Sequence, residues 1–398
     1  QKLDYHVAHD EHVIHAIEIV EAFLRKRHRI CYGGQAINAH LPDKYKIYDP
    51  KQTVPDYDFF TPTPEQDIRL LVQDLKKAGF QEISAREGMH EGTVKIYVDY
   101  VPVADVTAID APLYRLLSKR ELRVQGISYM DIHTLRMMMY LELSRPRGEV
   151  DRWPKVYERL MLLNTFASKQ GCRPTRTESR SLKQTTLTKE QVELTLRWLI
   201  QKQRVFAGLD LVQVYQQALQ RRTKRMEWLV HTRKPILFYS STPKEDIEHI
   251  KEAFERLSSS RLTPRPSHPY KVKLVEKKNM GEILPTLTVL YQGKTPILYA
   301  IHQTACHSYF QLPMYESFKH QPHQPHQHRP RPRPTLSEHV LRIASIDTLI
   351  TLYFSLSLLN DIHLTMGSME CLANHLIQLS TQMRTRPEHS PFPFISLN

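Results

Sequence analysis

The chain has 398 residues, more than one ordinary core accommodates, and its 55 Lys and Arg against 42 Asp and Glu leave a formal charge of +13. That excess implies a polyanionic partner, while Cys31, Cys172, Cys306 and Cys371 are too few and too scattered for a disulfide framework or a zinc site. No segment reads as a secretory leader, and the most continuous apolar stretch, 346–359, carries Asp347 and several Ser and Thr and is too short for a membrane span, so a protein of the reducing cytoplasm is expected.

In chain order, Asp10 followed by Val13, Ile14, Ile17, Val20 and Leu24 predicts a capped amphipathic helix. A basic run, Arg25 to Arg29, leads into the short apolar segment Ile30-Cys31-Tyr32 and then Gly33-Gly34-Gln35-Ala36-Ile37-Asn38. A strand, a tight turn and a helix start are expected there. Without Cβ atoms the turn lets the backbone approach a triphosphate, and its N–H groups favour an anion.

Next comes Pro55-Asp56-Tyr57-Asp58-Phe59-Phe60. In a strand, Asp56 and Asp58 share a face and could share a divalent cation. The later run Val101-Pro102-Val103-Ala104-Asp105-Val106-Thr107 puts a third carboxylate on the face of Val101 and Val103. An isolated buried carboxylate is costly, and a cation shared with Asp56 and Asp58 removes that cost. A lone Gly-Gly is ordinarily a turn and a lone Asp-x-Asp a solvated pair. Their order, and the apolar context of both acidic segments, favour metal-assisted nucleotidyl transfer, with Asp105 as general base or ligand beside the attacking hydroxyl.

Residues 166–187 break the hydrophobic periodicity and mark the boundary between domains at 1–170 and 171–398. Beyond it, Thr188-Lys189-Glu190-Gln191 has capping-box spacing and opens another helix. The second half then repeats the first. Leu24–Gly33 corresponds to Leu199–Gly208, and Phe59–Ile68 to Phe238–Ile247, which puts Pro235 and Leu237 where Asp56 and Asp58 stand. Thr93–Val98 aligns with Thr286–Tyr291, placing Leu298 at Asp105, and Ile127–Asp131 with Ile343–Asp347. Four blocks in one order indicate tandem duplication, with the metal ligands lost from the second copy. The basic run Arg221, Arg222, Lys224 and Arg225, near Trp228, is the candidate for RNA-backbone contact. Residues 320–334, rich in His and Pro, read as an insertion.

The Gly-Gly, Asp-x-Asp, Asp pattern resembles the polymerase-β-like nucleotidyltransferase superfamily. Within it, Tyr32–Ile37, Pro55–Phe60 and Asp99–Val106 are similar to the poly(A) polymerase catalytic subunits of large nucleocytoplasmic DNA viruses. The resemblance implies an α+β molecule of two tandem nucleotidyltransferase-like lobes, the first catalytic and the second degenerate. It implies Asp56, Asp58 and Asp105 as ligands of Mg²⁺ or Mn²⁺, and Gly33 and Gly34, joined here by Gln35 and Asn38, as nucleotide-binding residues. Many relatives carry Ser where this chain has Gln35. The expected reaction adds AMP from ATP to an RNA 3′ end without a template, in the cytoplasm, a viral factory or a virion. A homodimer or a separate processivity subunit is the expected protein partner. The competing readings are another template-free nucleotidyltransferase, such as an oligoadenylate or cyclic-dinucleotide synthase or a tRNA-end modifier, and a non-catalytic RNA-binding subunit.

Overall fold

The computed structural model describes residues 10–49, 53–88, 92–144, 150–167, 185, 187–219, 232, 234–259, 268–275, 284–303, 308–314, 340–359, 361 and 363–385. The basic run at 221–225 and the His/Pro-rich segment at 320–334 lie outside the described residues, as does most of the 166–187 boundary. The chain divides into two compact units. The first comprises residues 1–143, 151–170 and 278–280, and the second residues 144–150, 171–277 and 281–398.

The first unit opens with α1 (Glu11–Arg27), capped by Asp10, whose carboxylate accepts from the His12 N–H at 2.9 Å. Strand β1 (Ile30–Tyr32) runs into α2 (Gly33–His40), then β2 (Tyr57–Thr61), α3 (Pro64–Lys77), β3 (Ile83–Glu87), β4 (Thr93–Val98) and β5 (Val101–Ala108). After α4 (Ala111–Ser118) come β6 (Leu122–Val124), β7 (Ile127–Tyr129), α5 (Ile132–Ser144) and α6 (Trp153–Ala167). The seven strands form one mixed sheet in the order β3-β4-β5-β2-β1-β7-β6.

Strand alternation assigns the faces of this sheet. Tyr57 and Phe59 point toward α1, where Phe59 meets Phe23 at 6.0 Å between ring centroids and the Tyr57 hydroxyl donates to Glu21 at 2.7 Å. Asp58 and Phe60 therefore point to the other face.

The second unit has α7 (Lys189–Gln201), β8 (Val205–Phe206), α8 (Leu211–Leu219), β9 (Ile236–Ser240), α9 (Pro243–Ser259), β10 (Tyr270–Val275), β11 (Leu287–Gln292) and β12 (Thr295–His302). It closes with β13 (Tyr309–Pro313), β14 (Val340–Ala344), α10 (Ile346–Ser357) and α11 (Met366–Thr385). Thr188 and Gln191 form the expected reciprocal capping box at the start of α7. The sheet order, β10-β11-β12-β9-β8-β14-β13, is that of the first unit strand for strand. Even the irregularity in pairing recurs, between Ile96 and Tyr97 on β4 and between Leu290 and Tyr291 on β11.

A buried ion pair repeats as well. The fully buried Asp67 carboxylate receives Arg29 Nε at 2.6 Å and a hydroxyl hydrogen bond from Thr61. Asp246 likewise receives Arg204 Nε at 2.7 Å and the Ser240 hydroxyl at 2.6 Å. Removing Arg204 would strand the buried Asp246 charge, at a cost of about 3–5 kcal/mol, whereas Asp67 would keep a second arginine, Arg27, at 2.9 Å. Each pair therefore ties the residue that leads into one strand, Arg29 before β1 or Arg204 before β8, to the helix after the neighbouring strand.

Two of the sequence alignments shift when the hydrogen-bond ladders are followed. Asp105 pairs with Asp58, whereas Leu237, at the Asp58 position, pairs with Tyr299, so Tyr299 and not Leu298 replaces Asp105. One residue of slip exchanges the faces of a strand, which decides what fills the site. Tyr129 and Ile343 are the residues paired with Cys31 and Phe206, so Asp131 corresponds to Ser345 rather than Asp347. Both cap the following helix, Asp131 accepting from the Thr134 N–H and Ser345 from the Thr348 N–H. Cys31 is a buried free thiol, but Cys371 is disulfide-bonded, which the reading of four scattered thiols did not anticipate.

Candidate active site

The acidic residues converge through strand register. Tyr32 on β1 pairs with Asp58 on β2, Asp58 with Asp105 on β5, Asp105 with Lys95 on β4, and Lys95 with Arg86 on β3. Cross-strand partners share a face, so these five side chains form one row on the side away from Phe23. Asp56 precedes β2 by one residue rather than lying within it, yet its carboxylate joins the group. One oxygen each from Asp56, Asp58 and Asp105 lies within 4.8 Å of the others.

The electrostatics of the trio are those of a site short of positive charge. Burial, reinforced by the negative charges of Asp56 and Asp105, pushes Asp58 up to about 7. Burial and the charge of Asp105 push Asp56 up to about 6. Lys95 supplies the near cation, with Nζ 2.9 Å from Asp105 Oδ2. Its own burial acts to lower the lysine pKa, but the hydrogen bond and charge of Asp105 outweigh it and hold the group above its ordinary value. Asp105 Oδ1 and Asp56 Oδ1 are buried and have no hydrogen-bond partner among the described residues. Buried carboxylate oxygens are ordinarily satisfied. Two orphaned oxygens in a cluster of three carboxylates fit a hard divalent cation, which takes oxygen ligands.

The glycine turn abuts this cluster. Gly33 has a φ of +69° and begins α2, and a Cβ on it would collide with Asp58 Oδ2. Gly34 faces the Tyr48 ring, where an added Cβ would lie 2.5 Å from Cε2. Tyr48 is held in turn by Arg159 of α6, which donates to its hydroxyl at 2.7 Å and lies over its ring. Asn38 holds backbone. Its amide oxygen accepts from the Ile47 N–H at 2.8 Å and the Tyr48 N–H at 3.3 Å, and its amide nitrogen donates to the Tyr48 carbonyl. It thus clamps the loop that carries Tyr48. Gln35 sits half-buried in the first turn of α2.

Sequence reasoning missed Lys95, Tyr48 and Arg159. Lys95 carried a signal, since alternation along Thr93-Val94-Lys95-Ile96-Tyr97-Val98 makes it the one charged residue of a strand. Tyr48 and Arg159 carried none, because a non-periodic loop and a distant helix bring them together.

In the second unit the corresponding row is Ala207, Leu237, Tyr299, Val289 and Lys273. The acids are gone and the space is filled. The Tyr299 hydroxyl donates to Asp361 at 2.6 Å and the Tyr353 hydroxyl donates to the Gly208 carbonyl at 2.8 Å; on the opposite face, the Phe206 ring packs where a Cβ of Gly208 would stand.

Comparison with known proteins finds relatives among viral proteins. Residues 18–149 match the profile of the family described as poly(A) polymerase catalytic subunit. A protein of Acanthamoeba polyphaga mimivirus named as such a subunit is 29% identical over 151 residues, 37% of this chain and 25% of that protein. A counterpart from an African swine fever virus isolate (Pig/Kenya/KEN-50/1950) is 31% identical over 99 residues, 25% of this chain and 21% of that protein. The matched stretch thus spans about a quarter or less of these relatives' length. Across nearly the whole chain, the fold is similar to the crystal structure of the Megavirus polyadenylate synthase. The TM-score is 0.69 at 16% identity, covering 97% of this chain and 73% of that one.

Proposed function

We propose that the chain is a template-independent nucleotidyltransferase that adds AMP from ATP to the 3′ end of RNA. Its catalytic domain is 1–170, and 171–398 is a degenerate copy. The observation that carries this reading is the convergence of Asp56, Asp58 and Asp105, with two orphaned buried oxygens, beside a glycine turn at a helix start. Similarity to viral poly(A) polymerase catalytic subunits supplies the choice of ATP and RNA.

Asp56, Asp58 and Asp105 would hold Mg²⁺ or Mn²⁺. A bound pair of such ions acidifies the attacking hydroxyl and offsets charge on the leaving pyrophosphate. The chain's own groups do the rest. The N–H groups at the start of α2 receive the triphosphate, with Gly33 and Gly34 letting it approach. Asp105 stands on the acceptor side, where it orients the 3′-hydroxyl or takes its proton. Lys95 holds one oxygen of Asp105 and leaves the other free to act. Similarity to the subunits of mimivirus and African swine fever virus supports placing the activity in the cytoplasm or viral factory of an infected cell.

The test is extension of a labelled oligoribonucleotide by the purified chain with Mg²⁺ or Mn²⁺ and each of the four NTPs in turn. A ladder with ATP is expected. Extension with another NTP alone, or formation of a short or cyclic oligonucleotide without acceptor, would replace this reading with one of the other nucleotidyltransferase classes.

A second expected result concerns pH. The folded-state values of Asp56 and Asp58, about 6 and about 7, lie above those of an unfolded carboxylate. Between about pH 4 and pH 7 the folded protein therefore binds more protons than the unfolded chain, and its metal-free stability falls as pH rises through that window. A cation must displace the same protons. Millimolar Mn²⁺ should raise Tm clearly near pH 8 and far less near pH 5. Equal shifts at the two pH values would place the binding elsewhere.

A further inference from the structure

The acidic row continues into a basic one. Beyond Asp105 the register brings Lys95 on β4 and then Arg86 on the edge strand β3, on the same face. Arg86 is exposed, and its guanidinium lies over the Tyr97 ring, 5.7 Å being the comparable figure for Arg29 over Tyr114 and 5.5 Å the figure here. Tyr97 thus fixes the direction of an otherwise flexible arginine.

Chemistry assigns the two ends of this row. Gly33 and the start of α2 sit at the β1 end, against Asp58, and that is the end that suits a triphosphate. In an in-line displacement the attacking oxygen and the leaving group lie on opposite sides of the phosphorus. The hydroxyl must then arrive from the β5–β4–β3 end. An RNA strand lying along that direction brings its last phosphates over Lys95 and Arg86.

We propose that Lys95 and Arg86, the latter held by Tyr97, form the track that guides the 3′ end of single-stranded RNA to Asp105. This assignment rests on the polymerase reading and goes beyond it, since it places the acceptor on one particular edge of the sheet.

The decisive variant is Arg86→Glu in the full chain, with Arg86→Lys as the charge-preserving variant and Lys273→Glu as a control. Lys273 occupies the corresponding position in the second unit and lies over Tyr291 in the same manner, so its replacement changes net charge by the same amount. Binding of a fluorescent oligo(A) without nucleotide is measured by anisotropy over a range of salt, alongside KM for RNA and for ATP. Arg86→Glu should weaken RNA binding about ten-fold and lower the salt slope by roughly one, raise KM for RNA, and leave KM for ATP unchanged. Arg86→Lys should retain most of the affinity, and Lys273→Glu should lose much less than Arg86→Glu.

If the unmutated chain extends RNA and Arg86→Glu leaves RNA binding unaltered, the track is refuted while the polymerase reading stands. Equal losses in Arg86→Glu and Lys273→Glu would also refute it, as the signature of overall charge. A rise in KM for ATP alone would put Arg86 on the nucleotide side. Failure of the unmutated chain both to bind and to extend RNA removes the polymerase reading, and the track with it.

Discussion

Replacing Asp58 with Ala should abolish nucleotide addition, by at least about a thousand-fold in kcat, while leaving the fold intact. Asp58 sits at the centre of the row, paired with both Tyr32 and Asp105, and no described neighbour can supply its carboxylate. The stability effect should run the other way from the usual core truncation. Burial and the charges of Asp56 and Asp105 already disfavour ionised Asp58, so its loss relieves repulsion in the metal-free protein. The checks are primer extension and a thermal melt with and without Mn²⁺. The variant should melt no lower than the parent without metal and should lose most of the Mn²⁺-induced rise. A protein retaining a tenth of the parental rate would remove Asp58 from the catalytic group.

Gly33→Ala has the second largest expected effect. The residue has a φ of +69°, in the left-handed region, and the new methyl would meet Asp58 Oδ2. Backbone strain of this kind costs about 1–2 kcal/mol. The larger consequence is displacement of a carboxylate that must be placed within a fraction of an ångström, for which about a hundred-fold loss of kcat is expected. The change should therefore lower Tm modestly and activity severely. Gly34→Ala meets a side chain instead, but Tyr48 has little freedom to yield, since Arg159 holds its hydroxyl and Asn38 its backbone. Near-parental kcat in Gly33→Ala would show that the turn does not constrain Asp58.

The acids were legible in the sequence because alternation is a local property. Asp58 and Asp105 each stand within a run of apolar residues, and period two puts each on a definable face before any partner strand is known. The glycine pair was legible for a similar reason, as it lies between an apolar run and a helix start. What could not be read was pairing. Apolar strands match each other nearly as well one or two residues out of register, so Leu298 stood in for Tyr299 and Asp347 for Ser345 until the ladders decided. Lys95 was hidden by the same limit, since its meaning depends on which residue of β5 lies opposite. Asn38 looked like part of a nucleotide loop because it follows the glycines. Only the return of residues 47 and 48 shows that its amide is already occupied.

The packing around Gly208 has a consequence for any attempt to rebuild the site in the second unit. In the second copy the Tyr299 hydroxyl is committed to Asp361 and the Tyr353 hydroxyl to the Gly208 carbonyl, while a Cβ on Gly208 would meet the Phe206 ring rather than a carboxylate. Restoring aspartates at Leu237 and Tyr299 would therefore not revive chemistry there. The aromatic rings would have to shrink at the same time, and each such step alone would open a cavity in a well-packed core. Chemistry in that half is therefore closed off by packing as well as by the absence of carboxylates.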